Sequence, residues 1–344
     1  MERADKAVLR LAIGLALAVL LAYGLALPSP FVLCVMTVLL LSKPGPPMPL
    51  LKGMVVALLV AAVLAAGVLM VPLLEHYASV ALLLTALLLY VVFFIGLQSG
   101  SPLANIVAIA FTLVPVAGVV DQALVPAIST AIALGLFVGV LVGSLSHALF
   151  PDGDESGSRP APPAVAAHAA RWRAAQATLV VMPVLVMALI HPAFYLSAII
   201  KSVLLGQQAS STGARTAGWV LVGSTLAGAG MAVVMWFGLA LLPTLWMLVL
   251  WMAAAALWSG ARLFGLKASS LPPSFWSNAL VTMLILLGPA IEDSVVGKDV
   301  GHASLVRVSL FIVLALYAWA VVWVVEGWRA SRSSRFGKQA LEDV

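Results

Sequence analysis

The stretch PFVLCVMTVLLLS, Pro30 to Ser42, is an apolar run opened by proline and closed by a polar break. A second run of the same build opens at Ala193-Phe194 and reaches Gly206, and in both places a long apolar segment follows, the first ending near Val71. Farther on, Asn105 precedes Pro115 and Asp121, and Asn278 precedes Pro289, Glu292 and Asp293 in the same order. A hydrophobic plan stated twice at this scale is a sequence signature of transporters whose two halves enclose a path.

The 344 residues are 63% hydrophobic and 9% charged, with a mean hydropathy of +1.14. No globular core hides that much apolar surface from water, so the chain belongs in a lipid bilayer. Its apolar runs of roughly 15 to 25 residues suit helices crossing about 30 Å of hydrocarbon, not the alternating strands of an outer-membrane barrel. Breakers place spans near 8–27, 30–42, 50–72, 78–97, 103–120 and 123–149, then near 176–190, 193–206, 216–241, 243–260, 275–291 and 303–326. The expected fold class is an all-α integral membrane protein of about twelve transmembrane helices, built as two parallel six-helix repeats. Residues 1–150 form the first repeat, 151–175 a cytoplasmic linker, 176–328 the second repeat and 329–344 a basic cytoplasmic tail.

Charge sets the expected orientation. All 18 Lys and Arg except Lys298 and Arg307 fall in connections on one side, which places both termini and the linker in the cytoplasm. The charged start, Met1 to Arg10, leads into an apolar run longer than a signal peptide's core, so it reads as a retained first span. The linker carries Asp, Gly, Ser, Pro and Arg, with a short helix expected around Ala164–Arg173. Cys34 is the single cysteine, so no intrachain disulfide is possible. All ten Trp lie at or after Trp172; Trp219, Trp236, Trp246, Trp276 and Trp328 fall near span ends, where an aromatic belt is expected.

The second span of each half is short for a bilayer, and short segments at equivalent places in two repeats point to a binding site. The break after the first, Lys43 to Pro49, is proline-rich and stiff. The break after the second, Gly206-Gln207-Gln208-Ala209-Ser210-Ser211-Thr212-Gly213, reads as flexible and rich in donors. Ordinary turns between tilted helices are the competing reading. Lys201 lies about 12 Å into its span at the helical rise, where a charge is expensive and faces water or a partner. A fixed positive charge beside Gln207, Gln208 and Ser211 suits a small carboxylate: the charge offsets its desolvation and the neutral donors orient it. Snorkelling of Lys201 to the cytoplasmic surface is the alternative. Arg215 could attract the same anions, although positive-inside topology also accounts for it.

Gln98 and Asn105 at the start of the fifth span, and Asn278 at the start of the eleventh, form a matching polar pair of regions that would line the cytoplasmic mouth. Helix N-capping selects the same residue types. Pro115 and Pro289 are expected to kink their helices. Asp121, Glu292 and Asp293 follow at the outer ends as proton-coupling candidates, or as solvated loop ends. The five His are scattered, and no phosphate loop, metal-ligand spacing or Ser/His/Asp set is legible, so neither an enzyme, a cofactor nor a bound metal is expected. The pI of 9.6 follows from basic loops and implies no nucleic-acid partner.

Six-span halves, the Pro30-Phe31 short span, the Gly206-Gln207-Gln208 run and the closing Ser146-His147-Ala148-Leu149-Phe150-Pro151 resemble the fusaric-acid-resistance and aromatic-acid-exporter family of bacterial inner-membrane proteins. The resemblance spans about 8–330. It implies export of aromatic carboxylic acids from the inner membrane, with a periplasmic membrane-fusion adaptor and an outer-membrane channel as partners. The family is also similar to plant anion channels with six-span subunits. Larger members carry a substantial cytoplasmic domain, and this chain has only the 151–175 linker. The expected function is proton-driven efflux of small organic anions; a passive anion channel and a non-transporting scaffold are the rivals, and a homo-oligomer is compatible with any of them.

Overall fold

A computed structural model describes residues 3–27, 29–42, 50–100, 103–122, 124–151, 167–211, 214–295, 297 and 299–342. They form twelve helices: α1 Arg3–Gly24, α2 Pro30–Leu41, α3 Leu50–His76, α4 Ala78–Ser99, α5 Leu103–Val120, α6 Leu124–Leu149, α7 Ala167–Ile190, α8 Pro192–Ser211, α9 Ala214–Leu241, α10 Leu245–Leu263, α11 Pro273–Val295 and α12 Val300–Glu342. Among the described residues, nine are long and apolar enough to cross a membrane, and α2 and α5 are shorter apolar helices. The chain is a multi-pass helical membrane protein.

Local chemistry sets the helix ends. Pro30 occupies the first turn of α2, where its missing N–H costs nothing, after Ser29 at φ 47°. Thr244 caps α10, its side chain accepting from the Met247 N–H at 3.3 Å, and Gly100 closes α4 in the left-handed region at φ 63°. Lys6 Nζ donates to Pro151 O at 2.6 Å and Arg10 Nε to Phe150 O at 2.9 Å, so the basic start of α1 satisfies carbonyls just beyond α6. Pro115 and Pro289 lie inside α5 and α11, which continue through them.

Two expectations change. The 12 residues of α2 reach about 18 Å at the helical rise, but α8 has 20 residues and reaches about 30 Å. The expected flexible break after Gly206 is helix as far as Ser211; Thr212, Gly213 and Lys43 to Pro49 lie outside the described residues. Neighbouring helices meet part of the polar run: Asn105 on α5 donates to Gln207 Oε1, and Gln208 Nε2 lies 3.5 Å from carbonyls on α9 and α11. Gln176 on α7 donates to Ala209 O at 3.3 Å, and a Cβ at Gly206 would meet Ala177 O at 2.9 Å, so α8 lies directly on α7. The helix expected near Ala164–Arg173 is the opening of α7, and 152–166 lie outside the described residues.

In the packing, α1 lies on α10 and α4 on α7, while α2 lies on α11 and α5 on α8. Contacts of α2 with α6 and of α3 with α5 have counterparts in α8 with α12 and α9 with α11. Helix α11 is the hub: 83% of its most apolar window is buried, against 22% for α4. A Cβ at Gly228 on α9 would stand 2.5 Å from Ala279 O and 2.6 Å from Thr282 Cβ, so this glycine lets α9 and α11 touch backbone to side chain.

Candidate functional site

The ends of α2, α4, α8 and α10 and the starts of α5 and α11 surround a cavity of about 310 Å³. That volume is at the lower end for small-molecule pockets. Leu39, Leu97, Leu204, Leu263 and Val281 make its wall apolar, and Asn105, Gln207, Gln208 and Asn278 make one side polar. None of the described residues lining it carries a formal charge.

Each amide has a defined neighbour. Asn105, in the first turn of α5 and 4% exposed, donates from Nδ2 to Gln207 Oε1, while its Oδ1 is buried with no protein partner among the described residues. Gln208 Nε2 lies 3.5 Å from both Val220 O and Ser274 O, long contacts that tie α8 loosely to α9 and α11. Asn278 accepts at Oδ1 from Lys201 Nζ at 3.3 Å and donates from Nδ2 to Ser224 Oγ at 2.7 Å.

Lys201 stands behind this wall. It is 0% exposed, and Nζ also donates to Thr282 Oγ1 at 2.6 Å, while Thr282 Oγ1 donates to Asn278 O at 2.6 Å. The ammonium therefore does not snorkel; its head is held by oxygens of α11. Among the described residues no carboxylate pairs with it, and two neutral oxygens offset only part of the cost of burying a cation.

The remaining expected residues fall elsewhere. Gln98 is exposed on the last turn of α4 and does not line the cavity. The side chains of Ser211 and Arg215 lie outside the described residues. At the opposite helix ends, Asp121 is exposed just beyond α5. Asp293 is not a loop end: it is buried, and Arg307 Nη2 on α12 donates to its Oδ2 at 2.6 Å. Glu292 beside it is half-buried, with Oε1 unbonded by protein among the described residues. Trp276 is also no belt residue. It is 7% exposed, packs edge-on against Trp258 at 5.1 Å between ring centres, and shares Arg262 with it, the guanidinium 4.0 Å over Trp258 and 5.0 Å over Trp276. Trp219 and Trp246, by contrast, are largely uncovered by protein.

Residues 7–146, from α1 into α6, match the family DUF2955, described as a protein of unknown function. No curated protein and no solved structure matches the chain.

Sequence reading missed Thr282 and Ser224. Thr282 had a signal, since it lies one helical turn beyond Asn278 and shares its face. Ser224 had none, because hydroxyls in apolar helices commonly bond to their own preceding turn, as Ser224 Oγ does to Leu221 O at 3.2 Å.

Proposed function

We propose that this protein is an inner-membrane efflux transporter for small, partly apolar organic anions, with aromatic carboxylic acids as the substrate class. The observation that carries the reading is the cavity in which Asn105, Gln207, Gln208 and Asn278, drawn from three helices far apart in sequence, converge beside the buried Lys201, which no carboxylate among the described residues meets. Its walls come in corresponding pairs, α2 with α8, α4 with α10 and α5 with α11, and the contacts between helices pair in the same way. That pairing supports a duplicated six-helix unit with the binding site between the copies, and the DUF2955 match falls within one such unit. The apolar wall takes a hydrocarbon or ring body, the amides orient the head group, and Lys201 supplies the charge that offsets an anion's desolvation.

In this reading both termini face the cytoplasm, and the cavity opens on the same side, where α2, α4, α8 and α10 end. Efflux is coupled to the proton gradient, with Asp121, Glu292 and Asp293, at the far ends of α5 and α11, as the candidate carboxylates. A periplasmic membrane-fusion adaptor and an outer-membrane channel would carry the product onward. The protein carries out no chemistry on its cargo and needs no cofactor.

The test is uptake of radiolabelled 4-hydroxybenzoate into inside-out vesicles containing the purified protein, with and without an imposed proton gradient. Accumulation above equilibrium that collapses with a protonophore is the expected result. Equilibration without accumulation would make the protein a passive anion channel, and no protein-dependent flux of this or related carboxylates would reject transport of the class.

A further inference from the structure

Lys201 is fully buried and does not line the cavity, whereas Asn278, which accepts from its Nζ, does. An ammonium has only donors, so the atom of Asn278 that meets it must be the amide oxygen; the orientation follows from chemistry. With one Oδ1 lone pair taken by Lys201 and one amide N–H given to Ser224 Oγ, Asn278 keeps a second N–H and a second Oδ1 lone pair, and the cation beside Oδ1 favours the N–H as the group that meets a ligand. Thr282 holds the ammonium in place at 2.6 Å and is itself anchored on Asn278 O, so the cation and the amide are fixed by one turn of α11.

We infer that Lys201 is a positioning residue: it locks Asn278 as a hydrogen-bond donor to an acceptor group of the ligand, and its charge reaches the ligand through that polarised amide. This inference rests on the binding reading above and deepens it. The pole of the cavity at Asn278 then accepts carboxylates and rejects groups that donate there, such as amidinium. The cavity's other amide pair, Asn105 with Gln207, has no hydrogen bond to a cation among the described residues and is not biased in this way.

The first consequence is non-additivity. If Lys201 acts through Asn278, removing either partner removes the same interaction, and removing both removes nothing more. If Lys201 acts as a bare charge, the two losses add, and Asn278→Ala alone preserves or improves anion binding by opening the cavity to the ammonium. The second consequence is a change of preference. Asn278→Asp would pair with Lys201 and present an acceptor to the cavity in place of a donor.

The experiment is equilibrium binding of benzoate and of benzamidine to the full-length protein in detergent micelles, for wild type, Lys201→Met, Asn278→Ala, the double variant and Asn278→Asp, with thermal unfolding recorded in parallel. The expected result is a loss of about tenfold in benzoate affinity for each of Lys201→Met and Asn278→Ala, with the double variant no weaker than the weaker single by more than about twofold. Asn278→Asp lowers the benzoate-to-benzamidine preference. Should Lys201→Met not fold, Asn278→Ala keeps the test open: it removes the amide without touching the charge, and a bare charge predicts preserved or improved benzoate binding where a charge acting through Asn278 predicts a loss. Additive losses, or full benzoate affinity in Asn278→Ala, overturn the inference while leaving the binding reading intact. Wild-type protein that binds neither benzoate nor related carboxylates removes both.

Discussion

Thr282 is the residue on which the buried charge depends most directly, because its hydroxyl is the closer of the two oxygens that meet the Lys201 ammonium. Thr282→Val keeps the shape and removes the acceptor, leaving the cation one weaker partner. The expected cost is about 1–3 kcal/mol, the range for a buried polar group left without its bond. Thermal unfolding in detergent measures it, and Thr282→Ser should recover most of the loss; a Val variant as stable as wild type would show that the ammonium has other support. Asp293 invites the matching test at the far end. Arg307 is partly exposed, at 21% of its side chain, so water screens what Asp293→Asn leaves behind. A loss of about 1 kcal/mol is expected there, and a larger one would show that the pair is more enclosed than this exposure implies.

Among the elements, α9 and α11 meet so closely at Gly228 that no side chain fits between them. Ser224 lies one turn earlier on α9, so the same contact brings its hydroxyl to Asn278. Gly228→Val should therefore push the helices apart, cost about 1–3 kcal/mol by overpacking, and weaken carboxylate binding although residue 228 touches no ligand. Thermal unfolding and benzoate binding on one preparation read both effects, and a stable variant with unchanged binding would show that α9 does not set the position of Asn278. Most helices were legible because Pro, Gly and charge interrupt apolar runs wherever the chain turns, as at Pro30, Gly100 and the region before Ala167. The end of α8 was not. Gln207 and Gln208 read as a break when taken alone, since a sequence does not display the α7, α9 and α11 groups that meet the polar turns of this helix. For the same reason Asn105 and Asn278 could be picked out as a repeated pair, but the partner that turns each amide could not.

At the scale of the molecule, the charge distribution and the helix order make one orientation testable without any knowledge of cargo. Pro151, beyond α6, and Val295, at the end of α11, are both exposed and belong to opposite ends of the bundle. Cys34 is buried and need not be replaced. In intact cells a membrane-impermeant maleimide should label Val295→Cys at once and Pro151→Cys only after permeabilisation. The reverse pattern would invert the proposed direction of transport. The packing of α1 on α10 and of α4 on α7 ties the first six helices to the last six, so all twelve are expected to be lost together on heating. Two separate transitions would show that each set of six stands alone.

The lopsided placement of tryptophan gives the molecule an optical handle. All ten indoles lie at or after Trp172, and Trp276, sealed between Trp258, Phe275 and the Arg262 guanidinium, sits on the helix turn between Phe275 and the cavity-lining Ser277. Emission excited at the red edge comes wholly from the second half of the chain. If the proposed transport cycle shifts α10 against α11, the cation and the second ring would quench Trp276 differently, and loading and release would be visible as a colour and lifetime change in unlabelled protein.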